Sequence, residues 1–569
     1  MSHGRGRITF VLVAVVSDER GGGVLRPLDA AGRPAGPAET VVDLVAAVAA
    51  REAAEHPRWV WSAAASVYPP LLRAGVRVDR CHDVELTEAL LLGQAGRWGE
   101  PRALAAAWAR LSGAPVPPDP PPRAAAPPGH GQGALFDTLP GPSGPGIDAL
   151  TQVYADQLAR IAATEHPGRF RLLVAAESAG ALIAVEMGAA GLPWRADVHD
   201  EILHELLGEA SPVGGPPRRL AELAALMADA FGVRRLHADS PAELLKAFAR
   251  VGVELPNTRA WVLRGVDHPA VPLLLEYKEL YRIWTAHGWS WLEQWVRDGR
   301  FRPEYVPAGV VSGRWATRGG GALQIPKVIR RAVVADPGWR LVVADAGQLE
   351  PRVLAAVSGD ARLAAAGGAG DLYAALARDS FGGDRAKAKV ALLGAMYGQT
   401  GGAAVPALAV LKRSYPTAFA FVEAAARAGE AGGLVRSWLG RTCPPGSVGF
   451  GDPDDVPSDP DAAADPQGPR ARAARSRGRF TRNFVIQATA AEWASTLLAT
   501  LRTELAGTDA ELVFFQHDEV VVHAPATQAD AVAEAVTRCG ERASALLFGA
   551  TPVRFPLDLS IVDCYADAA

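Results

Sequence analysis

Residues 340–352 read Arg-Leu-Val-Val-Ala-Asp-Ala-Gly-Gln-Leu-Glu-Pro-Arg. Arg340 to Ala344 has the unbroken apolar character of a buried strand, and it ends on a carboxylate, Asp345. A second acid, Glu350, follows in the next turn of chain. Near the C-terminus, Glu511 to Phe515 and Val520 to His523 are two apolar runs flanking Gln516-His517-Asp518-Glu519, which predicts a hairpin with its acids at the turn. Two carboxylates from separate strands, Asp345 and Asp518, are what a two-metal site requires: divalent ions ~3.5–4 Å apart, one activating an attacking oxygen and one stabilising a leaving oxygen.

Between these acids lie two polar stripes. Arg385, Lys389, Leu393 and Tyr397 recur at every fourth residue, followed by Gly398, so a helix lines them along one face that begins with two cations. Aligned Arg and Lys can hold a polyphosphate, with Tyr397 further along to meet a flat ring. Taken alone, the same stripe also reads as a solvated cationic face. Arg479, Asn483 and Gln487 repeat the spacing ahead of a small-residue helix, and side chains so placed can reach base edges or sugars in a groove.

Taken in order, these segments resemble the polymerase domain of family A DNA polymerases, the bacterial DNA polymerase I class. DAGQLEPR resembles that family's DYSQIELR motif, and Arg385, Lys389, Tyr397 and Gly398 its R-x3-K-x3-aromatic-x3-YG helix. Arg479, Asn483 and Gln487 match its R-x3-N-x3-Q, and Gln516-His517-Asp518-Glu519 its last motif. Ser312-Gly313-Arg314 and Leu323-Gln324-Ile325-Pro326 are similar to segments preceding the first motif, and Tyr277 to Arg282 to the base of the thumb. The resemblance runs from about Phe170 to the C-terminus. It implies a right-hand fold with thumb at about 170–308, palm at about 309–370 and 483–569, and fingers at about 371–482, the whole spanning 166–569.

The resemblance also implies the roles. Asp345 and Asp518 would bind two Mg²⁺ ions, with Mn²⁺ as an alternative, and Glu519 would support that site. Arg385 and Lys389 would clamp the triphosphate of a dNTP, with Lys389 among the catalytic groups. Tyr397, Gln348 and His517 would also line the dNTP site, and Glu350 would exclude a ribose 2′-hydroxyl. That gate favours a DNA product over an RNA one. Arg314, Arg479, Asn483 and Gln487 would track primer-template DNA. The sequence departs from the family at Ala346-Gly347, where Tyr-Ser is usual, at Pro351, and at Leu393, where an aromatic ring is usual.

Outward from this core, the 569 residues carry 58 Lys+Arg against 62 Asp+Glu, a formal net charge of −4, so no global basic surplus drives nucleic-acid binding. Local arginine clusters must make the phosphate contacts. Hydrophobic residues at 49% and charged ones at 21% are a globular balance that excludes disorder throughout. Cys81, Cys443, Cys539 and Cys564 show no C-x-x-C spacing, which fits a reducing cytoplasm; within it, the resemblance implies a nucleoid-associated location. Arg5 and Arg7 ahead of Ile8 to Val16 mimic a signal peptide, but the β-branched run without a cleavage site predicts a buried strand. No uninterrupted apolar run suggests a membrane span.

Residues 1–165 mix short strands with Ala/Leu-rich helices, an α/β pattern. By resemblance they occupy the place of an RNase H-like 3′–5′ exonuclease domain, with Arg80 to Leu92 similar to its central strand and helix. Proofreading needs four carboxylates beginning with D-x-E on the first strand, yet Ile8 to Val16 holds no acid and Tyr154-Ala155-Asp156 is not followed by one at the fourth position. A degenerate domain is expected. The length leaves no room for a 5′-nuclease domain, so flap removal would fall to another protein. Residues 114–146 form a Pro/Gly-rich linker or excursion holding Gln132-Gly133-Ala134-Leu135-Phe136, which resembles a sliding-clamp peptide: Gln132 for a polar pocket, Leu135 and Phe136 for an apolar groove. The same pair could instead pack on its own domain. The expected protein is a monomeric DNA-templated DNA polymerase for repair or gap filling. The alternatives are a bifunctional polymerase with active exonuclease and a catalytically silent, clamp-tethered DNA-binding factor.

Overall fold

Leu12–Ser17 (β1) is apolar because it is buried on both faces. Val13 and Val15 join Trp59, Trp61 and residues of the helices Leu44–Glu55 and Ala64–Arg73 in one core. Leu12 and Ala14 join Val60 and residues of the helices Leu104–Ser112 and Ile147–Ala162 in another. Successive side chains of a strand point to opposite faces, so a strand between two helical layers must be apolar at every position. Gly23–Leu28 (β2), Glu39–Val41 (β3), Arg58–Trp61 (β4) and Arg80–Asp83 (β5) complete a sheet of order β3-β2-β1-β4-β5. The β1–β2 and β2–β3 pairings are antiparallel, and the β1–β4 and β4–β5 pairings parallel. The structure is a computed structural model that describes residues 11–121, 145–211, 214–398, 404–445 and 468–568.

The chain divides into two compact units, one of residues 1–189, 304–316 and 342–559, the other of residues 190–303, 317–341 and 560–569. This differs from the sequence division at the helix Pro167–Ala190, expected in the thumb. By length and composition that helix could cross a membrane. Its Phe170, Leu173, Val174, Ile183 and Met187 are instead packed in the core of the first unit, which is where burial of so apolar a helix stabilises most. The second unit is mainly helical, with Ala196–Leu207, Arg218–Ala230, Pro241–Arg250 and Ala270–His287 as its longer elements. An aromatic cluster of Trp194, His199, Trp291 and Phe301 is buried within it. Burial pushes the His199 imidazole down to about 4, against the hydrogen bond between its Nε2 and the His287 carbonyl at 2.9 Å.

A second sheet has four strands in the order Glu511–Gln516, Glu519–Pro525, Trp339–Ala346, Leu557–Val562. Val342, Ala344, Phe515, Val520 and Val522 share one core with Trp493 and Leu497 of the 37-residue helix Gly468–Glu504 and with Val536 of the helix Ala529–Phe548. The same long helix anchors the N-terminal module. Arg502 donates from Nη1 to the Asp79 carbonyl at 2.7 Å and from Nη2 to Glu186 Oε1 at 2.7 Å, and Tyr68 OH donates to that carboxylate at 2.6 Å. Hydrogen-bonded on several sides, this pair is a buried charge whose desolvation is compensated.

Candidate active site

The strand Trp339–Ala346 brings Asp345 to the point where its burial first relaxes, after four consecutive buried residues. In the neighbouring strand pair, Gln516 lies opposite Glu519, leaving His517 and Asp518 as the whole turn. The Ala346 N–H donates to the Asp518 carbonyl at 3.0 Å. That single bond between adjacent strands puts the acid preceding Ala346 beside the acid of the turn. Asp518 N–H in turn donates to the Gln516 carbonyl at 2.7 Å, closing a three-residue turn about His517 at φ +57°. Gln348, three residues after Asp345, has φ +59°. Left-handed backbone is uncommon outside glycine and is held only where surrounding structure fixes it, so both acids sit beside locally constrained turns.

The donor set is oxygen only. Solvent reaches Asp518 on the open side of the turn, yet burial by the surrounding protein pushes its carboxyl above the ordinary range; its own backbone and Arg314 oppose this and Glu519 adds to it. A carboxylate desolvated at Asp518, next to a second acid at the end of the adjacent strand, is an environment that a hard divalent cation relieves, so Asp345 and Asp518 fit the predicted metal site.

Glu350 lies in the first turn of the helix Leu349–Val357. Its Oε1 accepts from Arg314 Nη2 at 2.6 Å and its Oε2 from Tyr397 OH at 2.7 Å, joining three residues that the sequence had singled out separately. Pro351 follows in the same first turn, where the N–H that proline lacks has no intrahelical partner to lose. Its presence is therefore compatible with the helix. Arg352 is 1% exposed and donates from Nη1 to the carbonyls of Gly367, Ala369 and Arg554 at 2.9, 3.1 and 2.8 Å. It holds the loop that follows rather than reaching solvent. Gly313 has φ +86°, and the Arg441 guanidinium lies where a Cβ would stand, so the residue before Arg314 must be glycine.

The helix Arg385–Tyr397 starts at an N-cap, Asp384, whose carboxylate accepts from Lys387 N–H, and ends at Gly398 with φ +68°. Ala388, Ala391, Leu392, Ala395 and Met396 are buried, leaving Arg385 and Lys389 exposed and Tyr397 half-buried on the other face. Leu393 is half-buried against the core. Gly398 also lies close to Arg479, whose Cγ would be 3.1 Å from a Cβ there. Arg479, Asn483 and Gln487 are half-buried along one face of the long helix. Asn483 Oδ1 is buried and has no hydrogen-bond partner among the described residues, an acceptor that a bound ligand would satisfy.

Gln348, expected at the nucleotide, is held on both sides: its Nε2 donates to Asp371 Oδ1 at 2.9 Å and its Oε1 accepts from Leu372 N–H at 2.9 Å. Asp371 was not readable as a site residue. Its only local signal is that of an N-cap for the helix Leu372–Ser380, and its partners lie 23 and 14 residues away. The clamp-like residues Gln132, Leu135 and Phe136 lie outside the described residues. In the N-terminal module, Asp18 Oδ1 accepts from the Arg20 and Gly22 N–H groups, and Asp83 caps the helix Val84–Gln94. Leu158, at the position where an acid was sought, packs in the apolar core.

The architecture is mixed α/β, with acids at two adjacent strand ends and a cation-led helix. Residues 218–562, more than half of the chain, match the family model for DNA polymerase family A, and the chain belongs to that family. It is 30% identical over 323 residues to the thermostable DNA polymerase I of Thermus filiformis, covering 52% of this chain and 36% of that protein. It is 29% identical over 331 residues to the thermostable enzyme of Thermus aquaticus, covering 54% and 37%. The match thus spans little more than a third of these relatives' length. Among solved structures, the POL domain of Pol1 from M. smegmatis, in complex with DNA primer-template and dNTP, superposes with a TM-score of 0.67 at 17% identity, covering 98% of this chain and 96% of that one. At that identity the likeness speaks for the fold.

Proposed function

We propose that this chain is a DNA-templated DNA polymerase that adds dNMPs to a primer 3′-hydroxyl, serving repair or gap filling. The observation that carries the reading is the Ala346–Asp518 backbone hydrogen bond, which seats two carboxylates at adjacent strand ends. Family membership supports it, and so does the cation-led helix, tied through Tyr397 to Glu350 just after the first acid. In this reading the four-stranded sheet is the palm, the helices around Arg385–Tyr397 the fingers, and the helical second unit the thumb.

Asp345 and Asp518 would hold Mg²⁺, or Mn²⁺ in its place, with Glu519 supporting the site. When bound, the metal supplies Lewis-acid activation of the primer hydroxyl and charge neutralisation at the triphosphate. Arg385 and Lys389 meet the phosphates, offering positive charge where the transition state spreads negative charge over phosphoryl oxygens. Glu350, fixed from both sides, presents a rigid wall to the sugar. Arg314, Arg479, Asn483 and Gln487 follow the primer-template. The N-terminal module is read as an exonuclease-like domain without proofreading: its sheet order supports the resemblance, and β1 carries no acid. Clamp docking through Gln132, Leu135 and Phe136 remains part of the proposal.

Extension of a labelled primer-template with Mg²⁺ and dNTPs tests it. Wild type should extend, while Asp345→Ala and Asp518→Ala should bind the DNA and fail to extend. Extension by either variant at near the wild-type rate would remove the metal assignment, and primer shortening without dNTPs would restore proofreading.

A further inference from the structure

Arg385, the first cation of the stripe, is tethered by a neighbouring acid. Its Nε donates to Asp371 Oδ2 at 2.7 Å, and its guanidinium carbon lies 5.6 Å from the centre of the Tyr373 ring. Asp371 is itself fixed. Its Oδ1 accepts from Ala374 N–H at 3.1 Å, as the cap of its helix, and from Gln348 Nε2 at 2.9 Å. The chain just before it is held by Arg352 through the Gly367 and Ala369 carbonyls. Burial works to raise the Asp371 carboxyl, and the Arg385 guanidinium, the Ala374 N–H and the Gln348 amide overcome it and hold it at about 2. Asp371 is therefore a permanent anion at neutral pH, presented by a rigid turn to the same guanidinium that a triphosphate would need. Lys389, one helical turn on, has no such tether among the described residues: it makes no ion pair there.

We propose that Asp371 is a positioning residue that holds Arg385 in competition with the phosphates of the incoming nucleotide, and that it ties that exchange through Gln348 to the turn behind Asp345. The inference rests on Arg385 being a phosphate ligand. One anion replaces another on a single guanidinium, so Arg385 commits to the nucleotide only when a polyphosphate brings more negative charge than Asp371 holds. Both partners are partly exposed, at 53% and 39%, and a pair in that setting is worth about 0.2–1 kcal/mol, which corresponds to roughly a 1.5- to 5-fold effect on binding.

Direct titration with inorganic tripolyphosphate at low salt, without metal or DNA, tests the exchange independently of catalysis. Asp371→Asn keeps a capping side chain and removes the charge; if it does not fold, Asp371→Ser, also a capping residue, takes its place. The variant should bind tripolyphosphate about 1.5- to 5-fold more tightly than wild type, with the gain shrinking as salt rises. In an Arg385→Ala background the same substitution should change nothing. Unchanged or weaker binding in the Asp371 variant with thermal unfolding intact would overturn the proposal, as would an equal gain without Arg385. Wild-type primer extension run alongside separates the two readings: failure to extend removes the polymerase function while leaving the tripolyphosphate result interpretable.

Discussion

Tyr397→Phe removes one oxygen and nothing else, which makes it the sharpest probe of how Glu350 is held. The lost atom donates to Glu350 Oε2 at 2.7 Å, while Arg314 continues to hold Oε1 at 2.6 Å. The ring remains, so no cavity opens. A hydrogen bond to a charged group is worth about 1.5–3 kcal/mol, and because the carboxylate keeps its arginine the low end applies, ~1.5 kcal/mol. If that energy serves to hold Glu350 against the sugar, its loss relaxes discrimination by roughly tenfold, since ~1.4 kcal/mol is a factor of ten. The assay is single-nucleotide incorporation of dCTP and CTP opposite the same template base, compared as kcat/KM ratios. Expected are a dNTP efficiency within a few-fold of wild type and an rNTP efficiency that rises. A variant with unchanged sugar selectivity would refute the idea that the Tyr397 hydroxyl rigidifies the gate. An equal fall for both nucleotides would assign the hydroxyl to general positioning instead.

Two further outcomes are expected from the packing behind the site. Arg502→Met should destabilise the protein by about 1.5–3 kcal/mol in urea unfolding, because it removes the charged hydrogen bonds to Glu186 and leaves that buried carboxylate with only Tyr68 and Arg77, the latter 3.4 Å away; a loss under 1 kcal/mol would mean the anchor is dispensable. Burial raises the Glu492 carboxyl to about 7, against its hydrogen bond from Ser437, so the folded state binds this proton more strongly than the unfolded chain. Its contribution is therefore full below the ordinary carboxylate range and is lost as pH rises towards and through 7. Glu492→Gln should flatten the fall in melting temperature between pH 5 and 8, and an unchanged slope would place the titration elsewhere.

How much of this was legible beforehand depended on the range of each interaction. The buried strand ending on Asp345, the hairpin turn carrying Asp518 and the cation-led helix ending at Gly398 were readable because each rests on a local period: continuous burial, an interrupted apolar pair, and a four-residue stripe. The clustering of Glu350 with Arg314 and Tyr397 was not, since its members are 36 and 47 residues apart and no local rule links them. Gln348 is a similar case. Its type and position suggested the nucleotide, and nothing local announced the hydrogen bonds its amide makes with Asp371 and Leu372. For the helix Pro167–Ala190, order along the chain says nothing of which core it fills, and its apolar side chains pack in the core of the first unit.

By itself, then, the sequence determined which strand or helix carries each candidate residue, because backbone periodicity and capping act within a few residues. Tertiary structure alone decided who meets whom: the Ala346–Asp518 bond that pairs the acids, the two anchors on Glu350, and the Asp371 carboxylate that occupies Arg385. Those contacts join segments brought together only when the apolar faces of the sheet and the long helix are buried. Burial fixes position without regard to distance along the chain, and no local pattern encodes it.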